Sequence, residues 1–419
     1  MSATVDKGTT GKHEAKRLEI IRIASLMMNE QGATSIKLSA VAKSAGLSRN
    51  ALYYYFNDRT DLIFACYLSA SEATSEDLLN VQKADAGALQ KLGAYIDITL
   101  LGESAERAML TDVNLLAEPE KQTILAIQER NVRSLESILV QGMEAGEIAQ
   151  LSPVITAHII QGMLNWAQLW YRWTDLQEDR LSSHHAVAAA GIKRVIFQGL
   201  SSSQDFSFKC DLHLPLLMAS RVNAFNPKSL HQEKRSQLIG AASFLFNCKG
   251  INAVSLDDIA DHIGATKGAV YHYFKDKQSL VDACFARAFE QYEKIVQIAS
   301  QSDDDPLSQL LVVLHLNCQA QVSDIPPLIL HGGTSSFAMK YAERSQAIAK
   351  KLDGIRSVAV DSGLHKDIDK NVISLAAGTF FWIPAWYSTQ TDIDGKVLAD
   401  EICKIVSRGI ALAAPALCD

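Results

Sequence analysis

Two short strings, Ser48-Arg49 and Thr266-Lys267, place a hydroxyl suited to a helix N-cap directly before a cation. A helix starting there turns unpaired N–H groups and the positive end of its dipole outward, and the Arg49 or Lys267 that follows would face phosphate or base edges. No comparable arrangement for catalysis or metal binding is present. His331-Gly-Gly-Thr334 is a lone glycine pair without the spacing of a phosphate loop, and neither Gly-x-Ser-x-Gly nor His-Glu-x-x-His occurs. His184-His185 has no cysteine or carboxylate at ligand spacing. Seven cysteines (66, 210, 248, 284, 318, 403, 418) are an odd number with no Cys-x-x-Cys pair, which fits reduced thiols in a cytoplasm rather than a disulfide framework or a zinc knuckle. The expectation is no catalytic residue, no metal and no cofactor, hence not an enzyme.

The elements that carry the two strings occur twice. Residues 14–70 lie over 232–288 at a constant offset of 218 without a gap, and 19 of the 57 pairs are identical. Lys16/Lys234, Arg17/Arg235, Asn29/Asn247, Gly46/Gly264, Tyr53/Tyr271, Phe56/Phe274 and Cys66/Cys284 are among them. A weaker echo pairs Gly162, Trp166, Trp170 and Tyr171 with Gly378, Trp382, Trp386 and Tyr387 at an offset of 216. The text of 195–200 is similar to that of 405–410. The duplication therefore spans about 200 residues.

Within each copy, Ile20/Leu238, Ala24/Ala242, Met27/Leu245 and Met28/Phe246 recur at helical spacing and give the first helix one buried stripe. Gly32 and Gly250 stand where that helix would end in a left-handed residue. The spacing that follows has the mechanics of a helix-turn-helix. Ala42/Ala260 are small at the helix crossing, Gly46/Gly264 allow the positive φ of the turn, and Val41/Ile259, Leu47/Ala265 and Leu52/Val270 fill the core between. Ser255 and Asp258 suit a capping box for the first helix of the second motif, whereas Lys37 takes the Ser255 position in the first.

At 419 residues, with 48% hydrophobic and 21% charged side chains, the chain is long enough for two domains of about 200 residues, each with its own core. The net charge of −7 hides two basic islands: residues 1–56 carry +4 and residues 221–274 carry +2. Met1 to Arg17 lacks the apolar stretch of a secretion signal. Asn371 to Thr391 runs 21 residues without a charge, apart from Asp-free polar groups, but its Pro384 and polar residues favour a buried bundle helix over a membrane span.

The strings Gly46-Leu-Ser-Arg-Asn-Ala-Leu-Tyr-Tyr-Tyr-Phe56 and Gly264-Ala-Thr-Lys-Gly-Ala-Val-Tyr-His-Tyr-Phe274, followed by Asp58-Arg59 and Asp276-Lys277, closely resemble the DNA-binding domain of TetR-family transcriptional regulators. The resemblance covers about 55 residues in each half and implies an all-α fold of two tandem TetR-like units. Each unit would be a three-helix DNA-binding domain with a helix-turn-helix plus a helical ligand-binding and dimerisation domain. The expected division is 1–62 and 63–205 for the first unit, a linker at 206–231 with a short helix within Leu214 to Val222, then 232–280 and 281–419. By the resemblance the second helix of each motif is the recognition helix. Arg49, Asn50 and Tyr54, and Lys267, Gly268 and His272, would meet base edges. Ser48, Tyr53 and Arg59, and Thr266, Tyr271 and Lys277, would meet phosphates. Tyr55, Phe56, Tyr273 and Phe274 are expected in the core. Asn50 departs from the glycine that the family usually carries, and Asp257, Asp258 and Asp261 make the second copy less basic.

The implied function is a cytoplasmic, ligand-responsive repressor bound to a double-stranded DNA operator. Because the outward residues of the copies differ, the chain is expected to act as a monomeric pseudo-dimer on an asymmetric site, without a membrane partner. Trp166, Trp170, Trp382 and Trp386 fall at helical spacing, which favours core or interface packing. With Arg172 they are also the candidate contacts for a small hydrophobic or anionic effector, such as an acyl-CoA or a carboxylate. The alternative is a small-molecule- or partner-binding helical protein that has lost productive DNA binding in one or both halves.

Overall fold

The computed structural model describes residues 7–102, 106–110, 113–170, 181–218, 226–329, 335–367, 370, 374–387 and 393–412. Helices α1 (Lys7–Gln31), α2 (Leu38–Ser44), α3 (Arg49–Leu52), α4 (Arg59–Lys83), α5 (Ala88–Leu101), α6 (Glu120–Glu144), α7 (Pro153–Trp170) and α8 (Leu181–Lys193) build the first unit. The short α9 (Leu214–Met218) lies in the connection. The second unit follows with α10 (Pro227–Lys249), α11 (Leu256–His262), α12 (Lys267–Tyr273), α13 (Lys277–Ser300), α14 (Pro306–Gln321) and α15 (Ser335–Asp361), then α16 (Gly378–Phe381), α17 (Ile383–Trp386) and α18 (Gly395–Arg408). Among the described residues the only β pairing is two isolated bridges.

Local chemistry sets many of these boundaries. Asp58 and Asp276 cap α4 and α13 by accepting from the Asp61 and Ser279 amides, and Asp394 caps α18. Helix α18 buries Leu398, Ala399, Ile402, Cys403, Ile405 and Val406, a stripe at 3.6-residue spacing. Gly32 and Gly250 follow α1 and α10 with φ of 82° and 83°, but their ψ of 145° lies outside the expected left-handed helical region. The chain leaves extended there, a conformation that is nearly restricted to glycine.

Each three-helix domain has a small core of its own, around Ile20, Val41, Leu52 and Phe56 in the first and Leu238, Ile259, Val270 and Phe274 in the second. The two larger helical domains instead share one core, in which Leu92, Ile96, Leu139 and Ile160 belong to the same cluster as Leu311, Cys318, Leu398 and Ile402.

The halves meet through main-chain bonds that come in reciprocal pairs. The Leu200 amide donates to Val406 O at 2.9 Å and the Ile410 amide to Ile196 O at 2.8 Å; Ser201 donates to Ser407 O and Ala411 to Phe197 O. Ala149 donates to Ile410 O while Lys366 donates to Leu200 O, and Leu412 donates to Glu147 O while Ser202 donates to Leu364 O. Residues 196–202 correspond to 406–412, and 147–149 to 364–366, so each bond has its partner under exchange of the halves. That is the signature of an isologous, two-fold interface formed within one chain. Two glycine pairs sit on the pseudo-axis. A Cβ on Gly199 (φ +66°) would lie 2.4 Å from the backbone of Arg408 and Gly409, and one on Gly409 2.3 Å from Phe197 O. A Cβ on Gly162 would lie 2.6 Å from Gly378 O, and one on Gly378 2.8 Å from Gly162 O.

The expected linker is packed over its first part. The Leu214 amide donates to Gln319 Oε1 at 2.9 Å, Gln319 Nε2 donates to Leu212 O at 2.8 Å, and Arg408 Nε donates to Phe206 O at 2.6 Å. Residues 219–225 lie outside the described residues. The apolar run from Asn371 to Thr391 is not the single buried helix that its composition suggests. A 3-10 turn at Ser374–Ala377 leads into α16 and α17, four residues each. Pro384 lacks the N–H needed to extend α16 and stands in the first turn of α17. Residues 371–373 and 388–391 of that run lie outside the described residues. No helix among the described residues is long and apolar enough to cross a membrane.

Gly199→Ala should cost about 2–4 kcal/mol in chemical denaturation, because the new Cβ meets backbone and the φ is strained. A second test concerns His158 on α7, whose ring stacks on Trp386 of α17 at 4.1 Å between centroids. Burial lowers its pKa from 6.5 to about 4, so the folded state holds it neutral. Its share of stability is whole above the unfolded pKa and is lost as pH falls toward 4. Urea unfolding should show about 2–3 kcal/mol lost between about pH 7 and pH 4.5 that His158→Phe does not lose.

Candidate nucleic-acid interface

Both helix-turn-helix motifs close in the same way. The Leu47 amide donates to Ala42 O at 2.8 Å and the Ala265 amide to Ala260 O at 2.9 Å, with Gly46 and Gly264 at φ +68° and +64° between the helices. No atom lies within 4 Å of a Cβ placed on either glycine, so the turn needs them for φ and not for space. Ser48 and Thr266 cap the recognition helices, their hydroxyls accepting from the Ala51 amide at 3.1 Å and the Ala269 amide at 3.3 Å. Ser255 and Asp258 form the capping box of α11, and Lys37 provides no side-chain cap for α2.

The recognition helices differ in length. α12 runs to Tyr273, whereas α3 ends at Leu52 and continues as a turn in which the Tyr54 and Tyr55 amides bond three residues back, to Ala51 O and Leu52 O. Tyr55 stacks on the His13 ring, 4.7 Å away. His231 meets Tyr273 in the same way at 4.6 Å.

Ser48, Arg49, Asn50, Tyr53 and Tyr54 form an accessible row, Tyr54 at 77%, as do Lys267, Gly268, Tyr271 and His272 behind Thr266. Phe56 and Phe274 are buried, each under an arginine, Arg17 at 5.2 Å and Arg235 at 5.1 Å from the ring centroid. Tyr53 and Tyr271 are exposed; Arg49 donates to the Tyr53 hydroxyl at 3.3 Å, and Lys267 lies over the Tyr271 ring at 6.0 Å. Lys267 is also bound to Asp257 Oδ2 at 2.6 Å, which holds its pKa above the usual lysine value. Arg59 donates to Thr34 O at 2.9 Å and Lys277 to Asn252 O at 3.3 Å, so both cations clamp the chain between the first and second helices of their own domains. At those same equivalent positions the two DNA-binding domains touch, Asn252 Nδ2 donating to Thr34 Oγ1 at 2.6 Å.

Sequence reasoning passed over the pair that joins each of these domains to its helical body. Asn29 Nδ2 donates to Arg107 O and its Oδ1 accepts from the Met109 amide, both at 2.8 Å; Asn247 does the same with Pro327 O and the Ile329 amide, both at 2.9 Å. Their identity across the repeat was the available signal, but the partners lie about 80 residues away.

Three of the tryptophans named as candidate effector contacts pack between the halves. Trp166 donates to Ser374 O at 3.1 Å and packs on Phe381, Trp382 lies beside Gly162, and Trp386 stacks on His158, so all three lie between the halves. The side chain of Trp170 and all of Arg172 lie outside the described residues. A groove of about 330 Å³ is lined by the connecting segment and α18, and another of about 400 Å³ by α13 and α15; none of these tryptophans lines either. Inside the second helical domain, Asn317 Oδ1 is buried without a hydrogen-bond partner, and the Tyr292 hydroxyl is buried beside the Gln321 amide, with the Tyr292 ring edge-on to Phe381.

Comparison with known proteins points one way. A family model described as bacterial regulatory proteins, tetR family, matches residues 20–66 and again 238–284, the same 218-residue offset. A model described as tetracyclin repressor-like, C-terminal domain, matches 90–186. The HTH-type transcriptional regulator TtgR of Pseudomonas putida is 40% identical over 78 residues, 18% of this chain. The chain spans 37% of the length of that relative. The HTH-type transcriptional repressor KstR2 of Mycolicibacterium smegmatis is 21% identical over 198 residues, covering 42% of this chain and 90% of its own. A crystal structure of AibR in complex with isovaleryl coenzyme A and operator DNA is 20% identical, covers 43% of this chain and 96% of its own, and superposes with a TM-score of 0.36.

Asn247→Ala should free the Ile329 amide and leave Pro327 O unmatched. Hydrogen exchange at Ile329 is expected to accelerate roughly tenfold, the equivalent of one buried hydrogen bond.

Proposed function

Because the chain belongs to the TetR family and carries that family's DNA-binding segment twice, we propose that it is a sequence-specific transcriptional regulator, a ligand-responsive repressor working as an intramolecular pseudo-dimer. The observation that carries this reading is the reciprocal main-chain pairing around Gly199 and Gly409. It gives one chain the two-fold frame that a dimeric helix-turn-helix protein uses to meet two half-sites, about 34–36 Å apart on DNA. In this reading Arg49, Asn50 and Tyr54, with Lys267, Gly268 and His272, face base edges. Ser48, Tyr53 and Arg59, with Thr266, Tyr271 and Lys277, face phosphates. The operator is asymmetric because the two sets differ, and the chain works as a monomer in the cytoplasm, without catalysis.

The effector reading moves from the tryptophans to the interior of the second helical domain. Its buried phenol and amide groups, Asn317 Oδ1 among them without a partner, support a ligand with an apolar body and uncharged hydrogen-bonding groups, since a buried polar atom left unmatched costs stability that a ligand would restore.

Selection of duplex DNA by the full-length chain, with the mass of the complex measured in the same buffer, tests the reading. A two-part site bound by one chain, with affinity falling steeply with salt, is the expected result. A folded chain that enriches no site would leave the small-molecule- or partner-binding protein as the better reading.

A further inference from the structure

We propose that the two recognition helices do unequal work: α3 reads base edges, while the second motif meets phosphate through Thr266, Tyr271 and Lys277 and carries little sequence information, because Asp257 holds its reading lysine. The inference rests on the DNA-binding reading above and specifies the operator that this reading requires.

Three observations carry it. The first is the ion pair between Lys267 Nζ and Asp257 Oδ2 at 2.6 Å, both side chains at least half exposed on the face that would meet DNA. The position equivalent to Asp257 in the first unit is Ser39, which carries no charge, and Arg49 there meets only the Tyr53 ring and hydroxyl among the described residues. Arg49 therefore keeps donors in a planar fork suited to a guanine edge.

The second is the position that follows. Asn50 presents an amide able to pair with an adenine edge, whereas Gly268 presents no side chain. Packing does not impose that difference, since a Cβ on Gly268 would meet nothing within 4 Å.

The third is charge over the whole motif. Residues 37–59 hold Lys37, Lys43, Arg49 and Arg59 against Asp58, a net +3. The equivalent residues 255–277 hold Lys267, Lys275 and Lys277 against Asp257, Asp258, Asp261 and Asp276, a net −1. Asp258 and Asp276 are engaged as helix caps, but Asp257 sits ten residues before Lys267 in sequence and directly against it in space. An exposed pair of this kind is weak in water, but any DNA group that draws Lys267 off leaves a carboxylate behind. The Asp257 carboxylate then faces the phosphate backbone alone, and repulsion offsets the gain. Asp257 is thus a specificity-determining residue that touches no base.

The experiment is in vitro selection by the full chain, run in parallel for the wild type, for Asp257→Asn, and for a chain whose second motif carries first-unit residues (D257S/K267R/G268N/H272Y). Wild-type sites should show conserved bases, with guanine and adenine among them, in one half-site and little conservation in the other. The four-residue graft should select a second conserved half-site, an inverted copy of the first, with roughly tenfold tighter binding from the added base contacts. Asp257→Asn preserves side-chain size, and its unchanged circular dichroism would show an intact fold. It should bind severalfold tighter, with a salt dependence steeper by about one released counterion. Equal conservation in both wild-type half-sites, or Asp257→Asn with unchanged affinity and salt slope, overturns the inference while leaving the DNA-binding reading in place. A folded wild-type chain that selects no duplex overturns both.

Discussion

Where the two units meet, their backbones cross at Gly199 and Gly409 so closely that neither position can hold a side chain. The contact is closed by main-chain bonds on both sides of the crossing. Main-chain bonds have one register, unlike an apolar face that tolerates sliding, so this crossing fixes how the shared core of the helical domains is assembled. Everything distal inherits that frame, including the Gly162–Gly378 approach and the seating of Trp166 and Trp386 between the halves. A homodimer would build such an interface from two chains at the entropic cost of association. Here the covalent connection supplies a high effective concentration, and its first part is itself packed onto α14 and α18.

The DNA-binding domains are fastened to this frame by apolar packing and by polar contacts that repeat between the halves. Asn29 and Asn247 each grip a backbone amide and a backbone carbonyl of the segment below, Arg59 and Lys277 tie the recognition side to the chain that precedes α2 and α11, and Thr34 meets Asn252 across the pseudo-axis. Each three-helix domain keeps an apolar core apart from the shared one, and that core runs on into its own helical body, through Leu116 and Ile124 in the first unit and Phe289 and Tyr341 in the second.

Covalent duplication also removes the rule that both halves of a dimer be identical. The interior of the second helical domain buries Tyr292, Asn317 and Gln321, whereas that of the first buries a hydrogen-bonded set of Asn131, Ser71, Ser75 and Gln128. The recognition surfaces have diverged in charge as well. One frame thus holds two units whose chemistry is no longer the same.

The features legible in the amino-acid sequence are those made by neighbours along the chain: the 218-residue repeat, the turn glycines Gly46 and Gly264, the Ser48 and Thr266 caps, the Ser255–Asp258 box and the outward set on each recognition helix. Such features depend on backbone dihedrals and hydrogen bonds that span a few residues, and residue type alone selects them. The rest depended on partners distant in sequence. Pro384 broke a run that composition presents as one helix, Trp166 became an interface residue through a carbonyl 208 positions away, and Asn29 found its partners 78 and 80 residues on. Asp257 is close to Lys267 in the chain but meets it only because the turn folds α11 against α12. The pseudo-two-fold itself needs Gly199 and Gly409 to meet across some 210 residues of chain, and only the packing of both cores brings two backbones to that distance.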